Sequence, residues 1–323
     1  MCTALNLNTH NHYFGRNLDL DRSYNEEVCV TPRNFKLEFR QKEAIFEHYA
    51  MIGMATVVNS IPLYYDAANE YGLCMAGLNF PNNAFYPQYQ DGKDNITPFE
   101  FIPWILAQCK TVNEAMALLK NINLVNIQFS KHLPLSPLHW IISDRNGSVT
   151  VESTKDGLHI YENPIGVLTN NPPFPYHLEN LKKYNNLRVD NKQAKDIPDS
   201  HYCMGLGAVG LPGDVSSMSR FVRAAFGKEN SVCDGSELAS VSQFFHLLSF
   251  VEMPRGVCVT DGGHLDITVY SSCVNADKGI YYYTTYNNRQ ITCVDMHKTD
   301  LNSDKISRYP LILEQQINRQ NSH

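Results

Sequence analysis

Short runs rich in β-branched and aromatic residues, several alternating apolar with polar positions, recur at residues 13–18, 27–31, 36–40, 51–58 and 73–78. Runs of that length and make-up predict strands, so the chain opens in sheet. The period then changes. Thr97 followed by Pro98 fits an N-cap with proline at the first helical position, and Phe99, Ile102, Ile105 and Leu106 recur at helical spacing. Thr111-Val112-Asn113-Glu114 is a capping box opening a second helix through Leu119. Residues 138–143 and 148–152 flank Asn146-Gly147, the favoured dipeptide of a type I′ turn, which predicts a hairpin. Two more helices are expected over 219–226, with Gly227 as C-cap, and over 238–251. A last hairpin joins 279–286 to 290–296 around Asn287-Asn288, and a polar tail covers about 298–323.

Strands and helices thus come in blocks instead of in strict βαβ alternation, which favours antiparallel sheets packed against helical layers in an α+β protein. Neither a repeat nor a linker composition breaks the chain, so residues 1–323 are read as a single domain. At 323 residues with 43% hydrophobic and 19% charged residues, the protein has material for a full core without staples. The net charge of −6, with no Lys/Arg run, argues against a nucleic-acid partner. No stretch reaches the roughly 20 apolar residues of a membrane helix. The N-terminus lacks the pattern of a signal peptide, and a cytoplasmic location is expected. Nine scattered cysteines without a C-x-x-C pair fit buried reduced thiols better than a disulfide framework or zinc site.

Cys2 directly follows Met1. Removal of Met1 gives one residue carrying both a thiol nucleophile and a free α-amine, whose pKa near 7.7–8.0 lets it accept the thiol proton. Alone, an early cysteine reads as an inert small hydrophobe. The segment Gly15-Arg16-Asn17-Leu18-Asp19-Leu20-Asp21 changes the balance. An adjacent guanidinium lowers a thiol pKa, and a carboxylate holds an α-ammonium. Strand alternation puts Arg16 and Asp19 on opposite faces, which calls for a bulge or turn between them, and spacing does not choose between Asp19 and Asp21. Asn79 and Asn170 stand in short apolar frames as candidate oxyanion donors, although asparagine beside proline or in a turn is common for structural reasons. Arg220 either binds an anion or pairs with Asp214. Gly205-Leu206-Gly207-Ala208-Val209-Gly210 matches a dinucleotide loop in letters only, because Leu211-Pro212-Gly213 does not continue as a helix. His10 and His12 lack a third ligand at a recognisable spacing. Neither cofactor nor metal is expected.

With these pieces in place, the chain resembles the choloylglycine hydrolases, the group of conjugated bile salt hydrolases and penicillin V acylases. The likeness is strongest to the bile salt hydrolases of Gram-positive gut bacteria. It runs from Cys2 to about Met296 and is carried by Met1-Cys2-Thr3-Ala4, Phe14-Gly15-Arg16-Asn17-Leu18-Asp19, Met75-Ala76-Gly77-Leu78-Asn79-Phe80-Pro81, Pro164 through Pro172, Gly210-Leu211-Pro212-Gly213-Asp214 and Ser219-Arg220-Phe221-Val222. The resemblance implies an N-terminal-nucleophile hydrolase fold, a four-layer αββα sandwich with two antiparallel sheets. It implies a catalytic set of Cys2 as nucleophile, Arg16, Asp19, Asn79, Asn170 and Arg220, selecting Asp19 over Asp21. It also implies that Leu18, Phe129 and Leu133 line an apolar slot for a steroid body. Asn79 is similar to the bile salt hydrolases, where typical penicillin V acylases carry an aromatic residue. The implied substrate is a glycine- or taurine-conjugated bile salt. Acylase action on penicillin V or acyl-homoserine lactones is the alternative enzyme, an inactive steroid-binding protein the alternative outside enzymes, and a homotetramer the implied assembly.

Overall fold

The computed structural model describes residues 1–191 and 204–321. In chain order its strands are β1 (Cys2–Asn8), β2 (His12–Leu20), β3 (Glu27–Thr31), β4 (Met51–Val58), β5 (Ile61–Asn69), β6 (Cys74–Asn79), β7 (Asp94–Ile96) and β8 (Ile122–Leu124). They continue with β9 (Leu138–Asp144), β10 (Gly147–Thr154), β11 (Gly157–Glu162), β12 (Val167–Leu168), β13 (Ile267–Asn275), β14 (Ile280–Thr285), β15 (Thr292–Asp295) and β16 (Ser307–Pro310). The helices are α1 (Phe101–Gln108), α2 (Val112–Leu119), α3 (Phe174–Leu181), α4 (Ser217–Glu229) and α5 (Glu237–Ser249). One antiparallel sheet has six strands in the order β12-β1-β2-β13-β14-β15, and the other has eight in the order β11-β10-β9-β6-β5-β4-β3-β16. Helices α4 and α5 cover the first sheet, α1 and α2 cover the second, and the two sheets face one another across β1, β2 and β6. The result is the expected four-layer αββα sandwich.

Alternation along the strands sorts side chains between the layers. Ala4, Phe14, Leu18, Ile52, Met54, Ala76, Leu78 and Ile141 belong to a buried cluster that also takes in Phe221, Phe244 and Leu248 of α4 and α5. Met75, Trp140 and Ile142 belong to a second cluster with Phe101, Ile105 and Leu106 of α1. Strands buried on both faces lose their polar alternation, which is why several read as continuous apolar runs in sequence.

Several expected elements shift or vanish. Residues 36–40 form no strand beyond an isolated bridge between Leu37 and Ile45. The first helix starts at Phe101 and not at Pro98, because the Glu100 carboxylate takes the Thr97 N–H and the Arg40 N–H and closes a turn ahead of it. The capping box forms with one change of partner: Thr111 accepts from Glu114, while Glu114 reaches back to the N–H of Lys110. In the β9–β10 hairpin the two loop residues are Arg145 and Asn146, since Asp144 pairs with Gly147 and its carboxylate accepts both the Asn146 and Gly147 N–H groups. That Asx turn replaces the expected type I′ turn. Helix α4 is longer than expected, capped by Ser216, and Gly227 lies inside it. The tail is not all loose polar chain, for β16 returns to the edge of the eight-stranded sheet, pairing with β3 and placing Arg308 on Glu27 at 2.6 Å.

Gly15 is required by close approach. A Cβ there meets the Ser272 carbonyl oxygen of neighbouring β13 at 1.9 Å. Gly15→Ala is therefore expected to cost at least about 2 kcal/mol by forcing β2 and β13 apart, read as a loss of several degrees in Tm. An unchanged melting temperature would contradict this packing.

Candidate active site

Strand β1 starts at Cys2, and the register puts Leu18 directly opposite it and Arg16 opposite Ala4. Cys2, Arg16 and Leu18 therefore share the face toward the other sheet, while Thr3, Asn17 and Asp19 face the helices. The contacts agree. Arg16 Nη1 donates to the Tyr65 carbonyl at 3.1 Å across the sheet interface, whereas Asn17 Nδ2 donates to the Leu248 carbonyl of α5 at 2.9 Å. No bulge is needed on β2. The irregularity lies on β13 between Thr268 and Tyr270, and Arg16 and Asp19 approach the chain start from opposite sides.

Cys2 is buried, at 2% exposure, beneath Met1. The Met1 ammonium donates to the Asp19 carbonyl at 2.7 Å and to the Asp266 carboxylate at 3.0 Å, and Asp19 N–H returns a bond to the Met1 carbonyl at 2.9 Å. Burial opposes that ammonium, yet Cys2, Asp19 and Asp266 together raise its pKa. Asp19 Oδ1 accepts from Thr268 at 2.6 Å, and Oδ2 is buried with no hydrogen-bond partner among the described residues. Burial raises the Asp19 carboxyl pKa against the pull of the terminal ammonium and Arg220. Asp21 sits nearer the surface and pairs loosely with Arg22 at 3.9 Å.

Asn170 is the joint of the site. Its Oδ1 accepts from Cys2 N at 2.7 Å and from Arg220 Nη2 at 2.8 Å, and its Nδ2 donates to the Asn79 carbonyl at 2.7 Å. Its backbone is pinned as well, donating to Ser217 Oγ at 2.8 Å and accepting from His177 Nε2 at 2.9 Å. Burial pushes the His177 pKa down to about 4, so the ring stays neutral and its Nε2–H is available to donate. One residue earlier, the Thr169 carbonyl accepts from His139 Nε2 at 2.8 Å, and His139 Nδ1 faces buried Glu152 at 3.0 Å. Arg220 is fully buried and also reaches the Cys2 carbonyl, Thr3 Oγ1 at 2.7 Å and the Val215 carbonyl at 3.0 Å. It does not pair with Asp214, whose carboxylate accepts from Ser216 and Ser219. Asn79 ends β6, is only partly buried, and its side-chain amide makes no hydrogen bond among the described residues.

A cavity of about 640 Å³ opens along this edge of the sandwich, lined by Leu20, Tyr65, Phe129, Leu133, Leu138 and Trp140 among others. Phe129 and Leu133, two of the three residues expected at an apolar slot, both line this cavity. The structure does not bring Leu18 to it: Leu18 is 3% exposed in the core, and Leu20, two residues further along the same face, lines the cavity instead. Sequence reasoning missed Asp266, Thr3, Thr268 and Ser217. Nothing in spacing marks Asp266, Thr268 or Ser217, which come from segments about 50 to 265 positions from the residues they contact. Among the described residues, no cluster of His, Cys, Asp and Glu side chains is arranged to hold a metal ion, and the eight described cysteines are all unpaired; Cys203 lies outside the described residues. Nor is any described helix long and apolar enough to cross a membrane.

A family model described as linear amide C–N hydrolases, choloylglycine hydrolase family, matches residues 2–309. The chain is 51% identical to a bile salt hydrolase/transferase of Lactiplantibacillus plantarum over 98% of either chain. It is 41% identical to a bile salt hydrolase/transferase of Clostridium perfringens over 96% of each. Among solved structures, a mutant conjugated bile acid hydrolase from Clostridium perfringens superposes with a TM-score of 0.92 at 40% identity, covering 99% of this chain and 100% of the other.

Proposed function

This chain belongs to the choloylglycine hydrolase family of linear amide C–N hydrolases and has the N-terminal-nucleophile hydrolase fold, and from that premise we propose that it cleaves glycine- or taurine-conjugated bile salts through Cys2. The observation that carries the reading is the convergence of Arg16, Asn170 and Arg220 on the residue that heads β1, beside an apolar cavity of about 640 Å³. A cavity of that size, with aromatic and leucine walls, suits a rigid steroid body. The names of the two relatives above support the same substrate class.

The mechanism starts with loss of Met1. The Cys2 nitrogen, held by Asn170 Oδ1, becomes a free α-amine that takes the thiol proton, and the thiolate attacks the amide carbonyl. We assign Asn79, whose amide is uncommitted, to the developing oxyanion. Asn170 gives one N–H of its side-chain amide to the Asn79 carbonyl, which seats Asn79, and its second N–H is assigned with Asn79 to the same oxyanion. The buried, unpartnered Oδ2 of Asp19 is assigned to the α-ammonium, from the helical side. Collapse of the tetrahedral adduct breaks the C–N bond, and the ammonium gives its proton to the departing glycine or taurine. Water, deprotonated by the same amine, then attacks the thioester and releases the bile acid and the thiol. No cofactor enters this scheme. A cytoplasmic location and a homotetramer complete the proposal, the latter supported by exposed Val189, Met204 and Val209 at 64%, 86% and 69%.

Turnover of glycocholate, taurocholate and penicillin V, with intact mass measured on the same sample, tests the reading. Met1 is expected to be absent, and the bile salts are expected to react at least about 100-fold faster than penicillin V. Faster penicillin V cleavage would make the protein an acylase of the same family. Stoichiometric taurocholate binding without product would make it a binding protein, and Met1 retained in active protein would exclude the mechanism.

A further inference from the structure

On the side of Arg16 away from the helices lies a buried carboxylate that the mechanism does not use. Asp66 of β5 accepts from Tyr270 at 2.6 Å, Tyr281 at 2.6 Å and Ser272 at 3.1 Å, and all four residues are buried between the sheets. Ser272 Oγ in turn accepts from the Arg16 backbone N–H at 3.2 Å, and the carbonyl of Tyr65, next in sequence to Asp66, accepts from Arg16 Nη1 at 3.1 Å. Burial raises the Asp66 carboxyl pKa, while the nearby Arg16 guanidinium and the three hydroxyl donors aimed at it pull the other way and favour its charged form. We propose that Asp66 is a positioning residue whose hydrogen-bonded carboxylate, set behind Arg16, governs how strongly that guanidinium favours the Cys2 thiolate.

Two cations act on Cys2 from opposite faces, Arg16 from the inner side and Arg220 from the helical side. On the helical side Asp19, Asp266 and the terminal ammonium surround the site. On the inner side Asp66 is the carboxylate that faces Arg16, with the Tyr65, Tyr270 and Tyr281 hydroxyls and the Cys74 thiol as the other titratable neighbours. Burial first, and the Asp66 charge after it, hold the Tyr270 and Tyr281 hydroxyls well above their ordinary range, so both remain neutral donors. Asp66 thereby offsets part of the positive field that Arg16 projects onto the sulfur.

This inference rests on Cys2 being the nucleophile, and it is tested on the Met1-free protein by the pH dependence of Cys2 alkylation with iodoacetamide, followed by peptide mass. Asp66→Asn removes the charge and nearly keeps the shape, and its alkylation midpoint is expected to fall by about one pH unit. Tyr281→Phe removes one donor while keeping the ring, so that the carboxyl holds a proton more readily. Its midpoint is expected to move the same way by less, and it serves if Asp66→Asn does not fold. A midpoint unchanged or raised in the folded variants overturns the assignment. Wild-type turnover of taurocholate, measured alongside, separates the two ideas: an active wild type with unmoved variants sinks only the role of Asp66, whereas a wild type inactive on every amide tested sinks the nucleophile reading on which it stands.

Discussion

Cys2→Ala is expected to lower the release of taurine from taurocholate by at least about 10⁴-fold while leaving the melting temperature within a few degrees of wild type. The size follows from what the residue supplies. The proposed covalent route requires the sulfur, and the groups around it contact the rest of the same residue: Asn170 Oδ1 accepts from its nitrogen and Arg220 donates to its carbonyl. Alanine keeps that nitrogen, its bond to Asn170 and the strand pairing of β1 with β2, so the fold has little to lose beyond a small buried sulfur. Cys2→Ser is the sharper companion, because an alcohol beside a weak amine base is a far poorer nucleophile than a thiolate, and most of the activity should go with it. Rates of taurine release with purified, Met1-free protein decide the matter. Near-normal turnover by either variant would exclude thiolate attack.

Truncation of Asn79 to alanine is expected to reduce kcat by about 10²–10³-fold with little change in KM, the effect of deleting one donor to a tetrahedral oxyanion. Its backbone carbonyl, which accepts from Asn170 Nδ2, survives the substitution, so the hydrogen bond at 2.7 Å that joins β6 to the loop after β12 stays intact. That separates it from changes at Asn170, which disturb Cys2, Arg220 and Asn79 together. If Asn79→Ala raises KM and spares kcat, the amide binds the ground state instead and the oxyanion role fails.

Much of the architecture was legible because the signals that build strands and caps are local. The limits of β3 and β4 were read from composition and period alone, and the Thr111 cap and the β9–β10 hairpin were found where expected. What local pattern missed was decided elsewhere. Residues 36–40 have strand composition but no neighbouring strand to pair with, and β16 looks like a polar tail until β3 offers it an edge. Leu18 and Leu20 are equivalent in sequence, yet the partner sheet covers one and leaves the other on the cavity wall.

By itself the sequence determined most of the longer strands and helices, the αββα layering through the resemblance its motifs carry, and the set of residue types that a thiol nucleophile needs. Tertiary structure alone decided which of those side chains meet and from which side. Arg16 and Asp19 stay on opposite faces of one strand and still converge on the start of β1, because the second sheet lies against one face, while α5 on β2 and α4 on β1 cover the other. Asp66 and Asp266, acids with nothing in their local sequence to mark them, meet Tyr270 and the Met1 ammonium only through packing of segments more than 200 positions apart. Alternation and capping are properties of near neighbours, whereas the field at a buried sulfur is the sum of charges that only packing brings within range.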